Sequence, residues 1–104
     1  MSFVARVEGF GPTVVTPVGE LDLATAPKLR DCLASIDGDI EVDCSRLDFV
    51  DAIGLGVFVF AHRRCDEHGW KFVLVQPSPL LLQLLGITGL DASIHVRFDG
   101  TAPA

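Results

Sequence analysis

Short apolar runs punctuated by turn residues fill the first part of the chain, and a longer helical period replaces them further on. Phe3 to Val7 alternates apolar and polar positions, Gly9 to Pro12 reads GFGP, and Thr13 to Val18 is rich in β-branched residues. Strand, turn and strand in that order predict an opening antiparallel hairpin. Pro17 cannot donate to a ladder, so this point of the second strand is expected at an edge or a bulge. From Thr25 the spacing changes, with Leu29, Cys32, Leu33 and Ile36 recurring at i, i+3, i+4 and i+7. A threonine able to cap and Pro27 in the first turn complete the signature of an amphipathic helix.

That helix ends at Asp37-Gly38-Asp39, and Ile40 to Cys44, IEVDC, reads as a short strand. Gly54 to His68 has helical length and stops at Gly69, and Lys71 to Val75, KFVLV, reads as a buried strand. Ser78-Pro79 caps and starts a short leucine-rich helix ending near Gly86, and His95 to Phe98, HVRF, supplies a last strand. Strand and helix alternate after the hairpin, which implies an α/β fold with a mostly parallel sheet and right-handed crossovers. No internal repeat, linker or low-complexity tract interrupts the pattern.

Length and charge narrow the field of functions. A chain of 104 residues suits a single domain, 1–104, with one core. No apolar run approaches the roughly 20 residues that cross a bilayer, so no membrane partner is expected. The start, MSFVARVEGFG, has neither a basic leader nor a cleavage site behind a long apolar core, which leads to a cytoplasmic expectation. Cys32, Cys44 and Cys65 form an odd set without a CxxC pair, as buried reduced thiols would. Net charge is −6, and Arg63-Arg64 is the densest basic stretch. That is not the footprint of a nucleic-acid binder; the acidity favours solubility or a basic partner surface.

Candidate chemistry concentrates between Asp43 and Gly56, where strand hands over to helix and open α/β sheets build their sites. Asp51 is placed to cap the following helix, with Ala52 and Ile53 as its first residues. Gly54-Leu55-Gly56 invites a dinucleotide reading, but position 59 is Val59 rather than a third glycine, and no Walker lysine follows. The alternative is that the glycines allow close packing at the helix start. His62, Cys65 and His68 have the residue types of a metal set, yet the outer pair lies roughly 120° apart around a helix and would not converge. Ser35, Ser45 and Ser78 lack a histidine at motif spacing, and there is no G-x-S-x-G elbow. Neither catalysis nor a cofactor is indicated.

Three stretches together resemble a known family, the STAS domains, and among them the bacterial anti-sigma factor antagonists. They are GELDLATAPKLRDCL (Gly19 to Leu33), VDCSRLDFVDAIGLGVFVFAHRRC (Val42 to Cys65) and PSPLLLQLLGITGL (Pro77 to Leu90). The resemblance implies a STAS (SpoIIAA-like) fold: a mixed, mostly parallel sheet of four to five strands with an N-terminal hairpin and helices packed against it. It also implies a non-enzymatic role, in which the turn before the central helix and that helix's start dock onto a GHKL-type anti-sigma kinase and free a sigma factor. On this basis Asp22, Ser45, Asp51, Ala52, Ile53, Gly54, Leu55 and Gly56 form the expected partner-binding set. A scaffold or accessory subunit of a stress-signalling or transport assembly is the first alternative, and a small-ligand or nucleotide-binding domain the second.

Three departures from the family pattern qualify that expectation. The pattern runs Asp, a small or polar residue, Ser or Thr, then Gly-Leu-Gly, and here the phosphoacceptor position is Ile53. Isoleucine cannot take a phosphoryl group, so either Ile53 serves as an apolar contact that is not switched, or Ser45 or Thr25 accepts phosphate instead. Asp22 either joins the docking surface or caps the helix near Thr25. The second departure is LLLQLL, Leu80 to Leu85, whose leucines cannot all face one core from so short a helix. Leu80, Leu82 and Leu85 are therefore candidates for a second interface such as a weak homodimer, unless the chain's own end covers them. The third is DGTAPA after Phe98, which lacks helical periodicity where relatives carry a helix, so that helix is expected short or missing.

Overall fold

Thr13–Leu21 forms the longest strand, β2, and its β-branched residues organise the sheet around it. The computed structural model describes residues 1–7 and 11–99. Along the chain the elements are β1 (Ser2–Val7), β2, α1 (Ala26–Ala34), β3 (Ile40–Asp43), β4 (Leu47–Val50), α2 (Ala52–His68), β5 (Phe72–Val75), α3 (Pro79–Thr88), a 3₁₀ turn (Leu90–Ala92) and β6 (His95–Arg97). The strand order is β1-β2-β3-β5-β6, with β4 joined to β2.

β1 runs antiparallel to β2, from Ser2 opposite Val18 to Val7 opposite Thr13, which is the expected opening pair. Of the turn expected at Gly9 to Pro12, Gly9 and Phe10 lie outside the described residues. Every other pairing is parallel. The sheet is thus mixed and mostly parallel, as the resemblance implies, and the described residues give it six strands, one beyond the four to five expected. The additional strand, β4, lies within the stretch from Asp43 to Gly56 that the sequence reads as a handover from strand to helix. Of its four residues only Val50 is buried, so it lacks the alternation of a half-buried strand.

β2 changes parallel partner along its length. Thr13–Val15 pair with β3 at one end, Gly19–Leu21 pair with β4 at the other, and the register shifts between Gly19 and Glu20. Pro17 sits between these two partnerships, opposite Phe3 of β1. Apart from β1, this point of β2 pairs with neither parallel neighbour, a local break in the ladder two residues before the register shift, in keeping with the edge or bulge expected for a residue without an N–H.

One apolar core joins the sheet to the three α-helices of the described residues. β2 contributes Val15 and Leu21, α1 Leu29 and Leu33, α2 Phe58 and Ala61, β5 Phe72 and Leu74, and α3 Leu81 and Leu85. Among the described residues no charged or polar side chain is buried, and no buried side-chain nitrogen or oxygen lacks a partner. Cys44 and Cys65 lie in this core and Cys32 at its margin, all as free thiols.

α3 resolves the leucine strip. Ser78 Oγ accepts from the Leu81 amide at 3.1 Å, so the predicted cap is present, but the helix runs past Gly86 to Thr88 and closes at Gly89 with φ +77°. Leu81 and Leu85 turn into the core, Leu82 and Leu84 are half-buried, and Leu80 is 51% exposed. Leu85 is thereby corrected: fully buried, it cannot belong to a second interface. After β6 the described chain ends at Asp99, and most of the DGTAPA tail, residues 100–104, lies outside the described residues.

Candidate functional site

β2 and β4 lie side by side and finish together, so the two helices that follow them start side by side. The Asp51 amide donates to the Leu21 carbonyl at 3.1 Å, tying the end of β4 to the end of β2. Each exit turn is organised by an aspartate. The Asp51 carboxylate accepts from the Gly54 amide at 2.8 Å, and its carbonyl accepts from Leu55 at 2.9 Å, which makes Asp51 the cap of α2. The Asp22 carboxylate accepts from the amides of Ala24 and Thr25 at 3.0 and 3.2 Å, and its carbonyl accepts from Ala26 at 2.8 Å.

Thr25 occupies the position before α1 but does not cap it with its side chain. Its hydroxyl turns back instead, donating to the Glu20 carbonyl at 2.8 Å and accepting from the Asp22 amide at 2.9 Å. The capping work expected of Thr25 therefore falls to the turn closed by Asp22.

These two starts raise an apolar knob above the sheet edge. Ile53, in the first turn of α2, is 52% exposed, and Leu23, in the turn before α1, is 71% exposed. Between α1 and α2 runs a groove of about 470 Å³, lined by both residues together with Pro27, Arg30, Gly56 and Phe60 among others. The Arg30 guanidinium lies 4.3 Å from the centre of the Phe60 ring, a cation–π contact on the groove wall.

The family described as "Mlab, STAS domain" matches residues 5–97 of this chain. The chain belongs to the STAS domain family. It is 33% identical over 87 residues to an anti-sigma-B factor antagonist of Staphylococcus aureus, covering 80% of each chain. It is 32% identical over 83 residues to the anti-sigma-B factor antagonist of Listeria monocytogenes, covering 76% of this chain and 73% of that protein. Among solved structures, the anti-sigma factor antagonist SpoIIAA in its unphosphorylated form superposes with a TM-score of 0.78 at 20% identity, over 96% of this chain and 90% of that one. A putative anti-sigma factor antagonist from Thermotoga maritima superposes with a TM-score of 0.80 at 24% identity, over 93% and 86%. These two establish the fold.

Within this STAS domain the sequence-predicted site residues divide into three groups. Ala52, Ile53 and Gly56 are exposed on α2, and Asp22 and Asp51 hold the turns beside them half-buried. Gly54 and Leu55 are buried, and this corrects their place in the contact set. Leu55, 4% exposed, belongs to the core. A Cβ on Gly54 would stand 2.6 Å from the Leu21 carbonyl oxygen, so this glycine faces inward onto β2. Ser45 is exposed, but in the turn between β3 and β4, where its amide donates to the Asp43 carboxylate at 3.0 Å. It is not in the lining of the groove; the whole of β4 separates it in sequence from Asp51.

Leu23 is the residue the sequence reading missed. Its signal was there: an apolar side chain within a turn-forming Asp-Leu-Ala-Thr stretch has no strand or helix period to bury it. Among the described residues no three His, Cys, Asp or Glu side chains gather as a metal-binding group. His68 instead stacks on Trp70 with ring centres 4.4 Å apart, and Cys65 is in the core. No helix among the described residues is long and apolar enough to cross a membrane.

Proposed function

We propose that this STAS domain is a non-enzymatic anti-sigma factor antagonist, docking through the Leu23–Ile53 knob onto an anti-sigma factor of the GHKL kinase type in the cytoplasm. The observation that carries this is Ile53, half exposed at the tip of an aspartate-capped helix start, in a chain whose relatives bear the antagonist name. A fixed helix start is a suitable docking element because its cap and its packing on Leu21 leave little to order on binding. Leu23 and Ile53 then supply apolar area at the centre of the contact, where desolvation counts most.

The same geometry explains what isoleucine changes. A hydroxyl at this position would be solvent-accessible, and its phosphorylation would add nearly two negative charges to the contact. Ile53 offers no acceptor atom, so docking at this surface is not switched at position 53, and the domain stays competent to bind.

Calorimetry of the full chain with the anti-sigma factor tests the proposal. Ile53→Asp places a charge where it must be desolvated, and affinity falls about tenfold or more. Stability barely changes, because the side chain is half exposed. Unchanged affinity for Ile53→Asp removes this surface from the interface. In a second arm, incubation with the kinase and labelled ATP leaves the native chain unlabelled and labels Ile53→Ser; stoichiometric labelling of the native chain overturns the unswitched state.

A further inference from the structure

The groove beside the knob does not end at Gly56. A second depression of about 450 Å³ continues it, sharing Arg30, Gly56 and Phe60 and extending to Arg63, Arg64 and Glu67. Ile53, Gly56, Phe60, Arg63 and Glu67 follow one another at three- and four-residue steps along α2. At 100° per residue they fall within an arc of roughly 80°, and at 1.5 Å per residue they extend over roughly 21 Å. The result is one continuous strip that passes from aliphatic through a bare backbone and an aromatic ring to basic.

Its charge contrasts with that of the molecule. The chain carries a net −6, yet the continuation of the groove is lined by three arginines against the single acid Glu67. Arg64 is already engaged, donating to the Ile36 carbonyl at 2.6 Å and to Asp37 at 3.0 Å, which braces the end of α1 against α2. Arg30 and Arg63 are both exposed, and among the described residues neither has an ion-pair partner. Arg30 is held over Phe60 by the cation–π contact rather than by a carboxylate.

Gly56 is the second observation. It stands in the interior of a 17-residue helix, exposed, where an added Cβ would meet nothing within 4 Å. The fold gains nothing from a glycine here, and alanine would favour the helix. A bare backbone at the junction of the two depressions does allow another chain to cross closely.

We propose that the α1–α2 groove receives an amphipathic helix of the partner protein, apolar where it meets Ile53 and acidic where it meets Arg30 and Arg63, crossing over Gly56. This rests on the docking role above and adds the chemistry of the partner segment. Carboxylates on such a helix would reach guanidinium groups able to bind them in a bidentate, charge-assisted manner. The aliphatic end would cover the knob.

The test uses the full chain and two stapled helical peptides of about 16 residues, long enough for the strip. Both have leucines at one end; one carries glutamates and the other lysines at the positions facing the arginines. In a ¹⁵N titration the acidic peptide shifts resonances of Gly56, Phe60 and Arg63, the basic peptide does not, and raising salt weakens the first. Arg63→Gln weakens binding, and Arg30→Gln with Arg63→Glu weakens it about tenfold or more, with circular dichroism unchanged. Equal response to both peptides, no response at these residues, or indifference to the arginine substitutions overturns the proposal. Resonances of this face that move on dilution of the chain alone would assign the groove to a second copy instead and also overturn it. An anti-sigma factor that depends on Ile53, beside a groove indifferent to charge, would sink only the acidic helix. Binding of the acidic peptide by a domain that ignores anti-sigma factors would sink only the antagonist role.

Discussion

Gly54 lies against the end of β2 so closely that a Cβ built on it would stand 2.6 Å from the Leu21 carbonyl oxygen and 2.7 Å from Leu21 Cγ. That carbonyl also accepts the Asp51 amide at 3.1 Å, and the Leu21 side chain is fully buried, so neither has room to withdraw. Gly54→Ala should lower stability by about 1–3 kcal/mol through overpacking, despite the better helix propensity of alanine. Urea denaturation checks it, and an unchanged midpoint would show that the strand end yields.

Gly56, two residues further on, should behave in the opposite way. Gly56→Ala is expected to raise stability by about 0.5–1 kcal/mol, since the helix gains a better former and the methyl meets nothing. The same methyl stands in the groove, so affinity for the partner should fall while stability rises. Denaturation and binding measured on one preparation separate the two effects. A stabilised variant with undiminished affinity would show that no partner backbone crosses here.

The cap of α2 is a third point of leverage. Asp51→Ala removes the acceptor of the Gly54 amide, and stability should drop by about 0.5–2 kcal/mol, with Asp51→Asn or Asp51→Ser recovering most of it. Binding should weaken as well, because the first turn that presents Ile53 loses its anchor. Equal stability for the alanine and asparagine variants would mean that the bond contributes nothing.

How far the sequence discloses this arrangement depends on the range over which each feature is decided. Asp51 followed by a long apolar period is a local signal, and the cap and α2 stand where that signal puts them. Short apolar or β-branched runs bounded by turn residues likewise announce β1, β2, β3, β5 and β6. β4 is different: Leu47–Val50 becomes a strand because the far end of β2 is free to pair with it, and no four-residue pattern can encode that. Gly54 and Gly56 look equivalent in the sequence, yet two helical steps are roughly 200°, which turns one toward Leu21 and the other toward solvent. The same limit applies to Ser45, near the site in sequence and outside its groove in space, and to Leu23, whose exposure is set by the turn that Asp22 and Thr25 close.

α3 offers a comparison between two leucines of one helix. Leu85 is fully buried, and Leu80 is 51% exposed beside Phe49 at the rim of another depression. Leu85→Ala should cost about 2–5 kcal/mol as a core truncation, whereas Leu80→Ala should stay within about 0.5 kcal/mol of the native chain. Thermal or chemical denaturation gives both values. A large loss for Leu80→Ala would mean that something covers this face in solution, and sedimentation at increasing concentration would show whether a second copy does.

The cysteines make stability depend on alkaline pH. Burial, reinforced by the neighbouring Asp43 carboxylate, pushes the Cys44 thiol from the ordinary 9.0 up to about 12, and burial also raises Cys65 and Cys32. Once the chain unfolds, these thiols ionise at their ordinary values, so between the two limits the native state holds more protons than the unfolded one. Stability therefore falls as pH rises: the contribution of Cys44 is complete below about pH 9 and is lost progressively toward about pH 12. The slope approaches about 1.4 kcal/mol per pH unit for a single site that is fully ionised only when unfolded. Urea midpoints collected from about pH 8 to pH 11 should trace this decline, and Cys44→Ala should flatten it whatever the substitution itself costs at neutral pH. A profile of the same steepness in Cys44→Ala would place the titration elsewhere. Native-state alkylation gives an independent check, with Cys44 protected until the chain unfolds and Cys32, at the margin of the core, modified first.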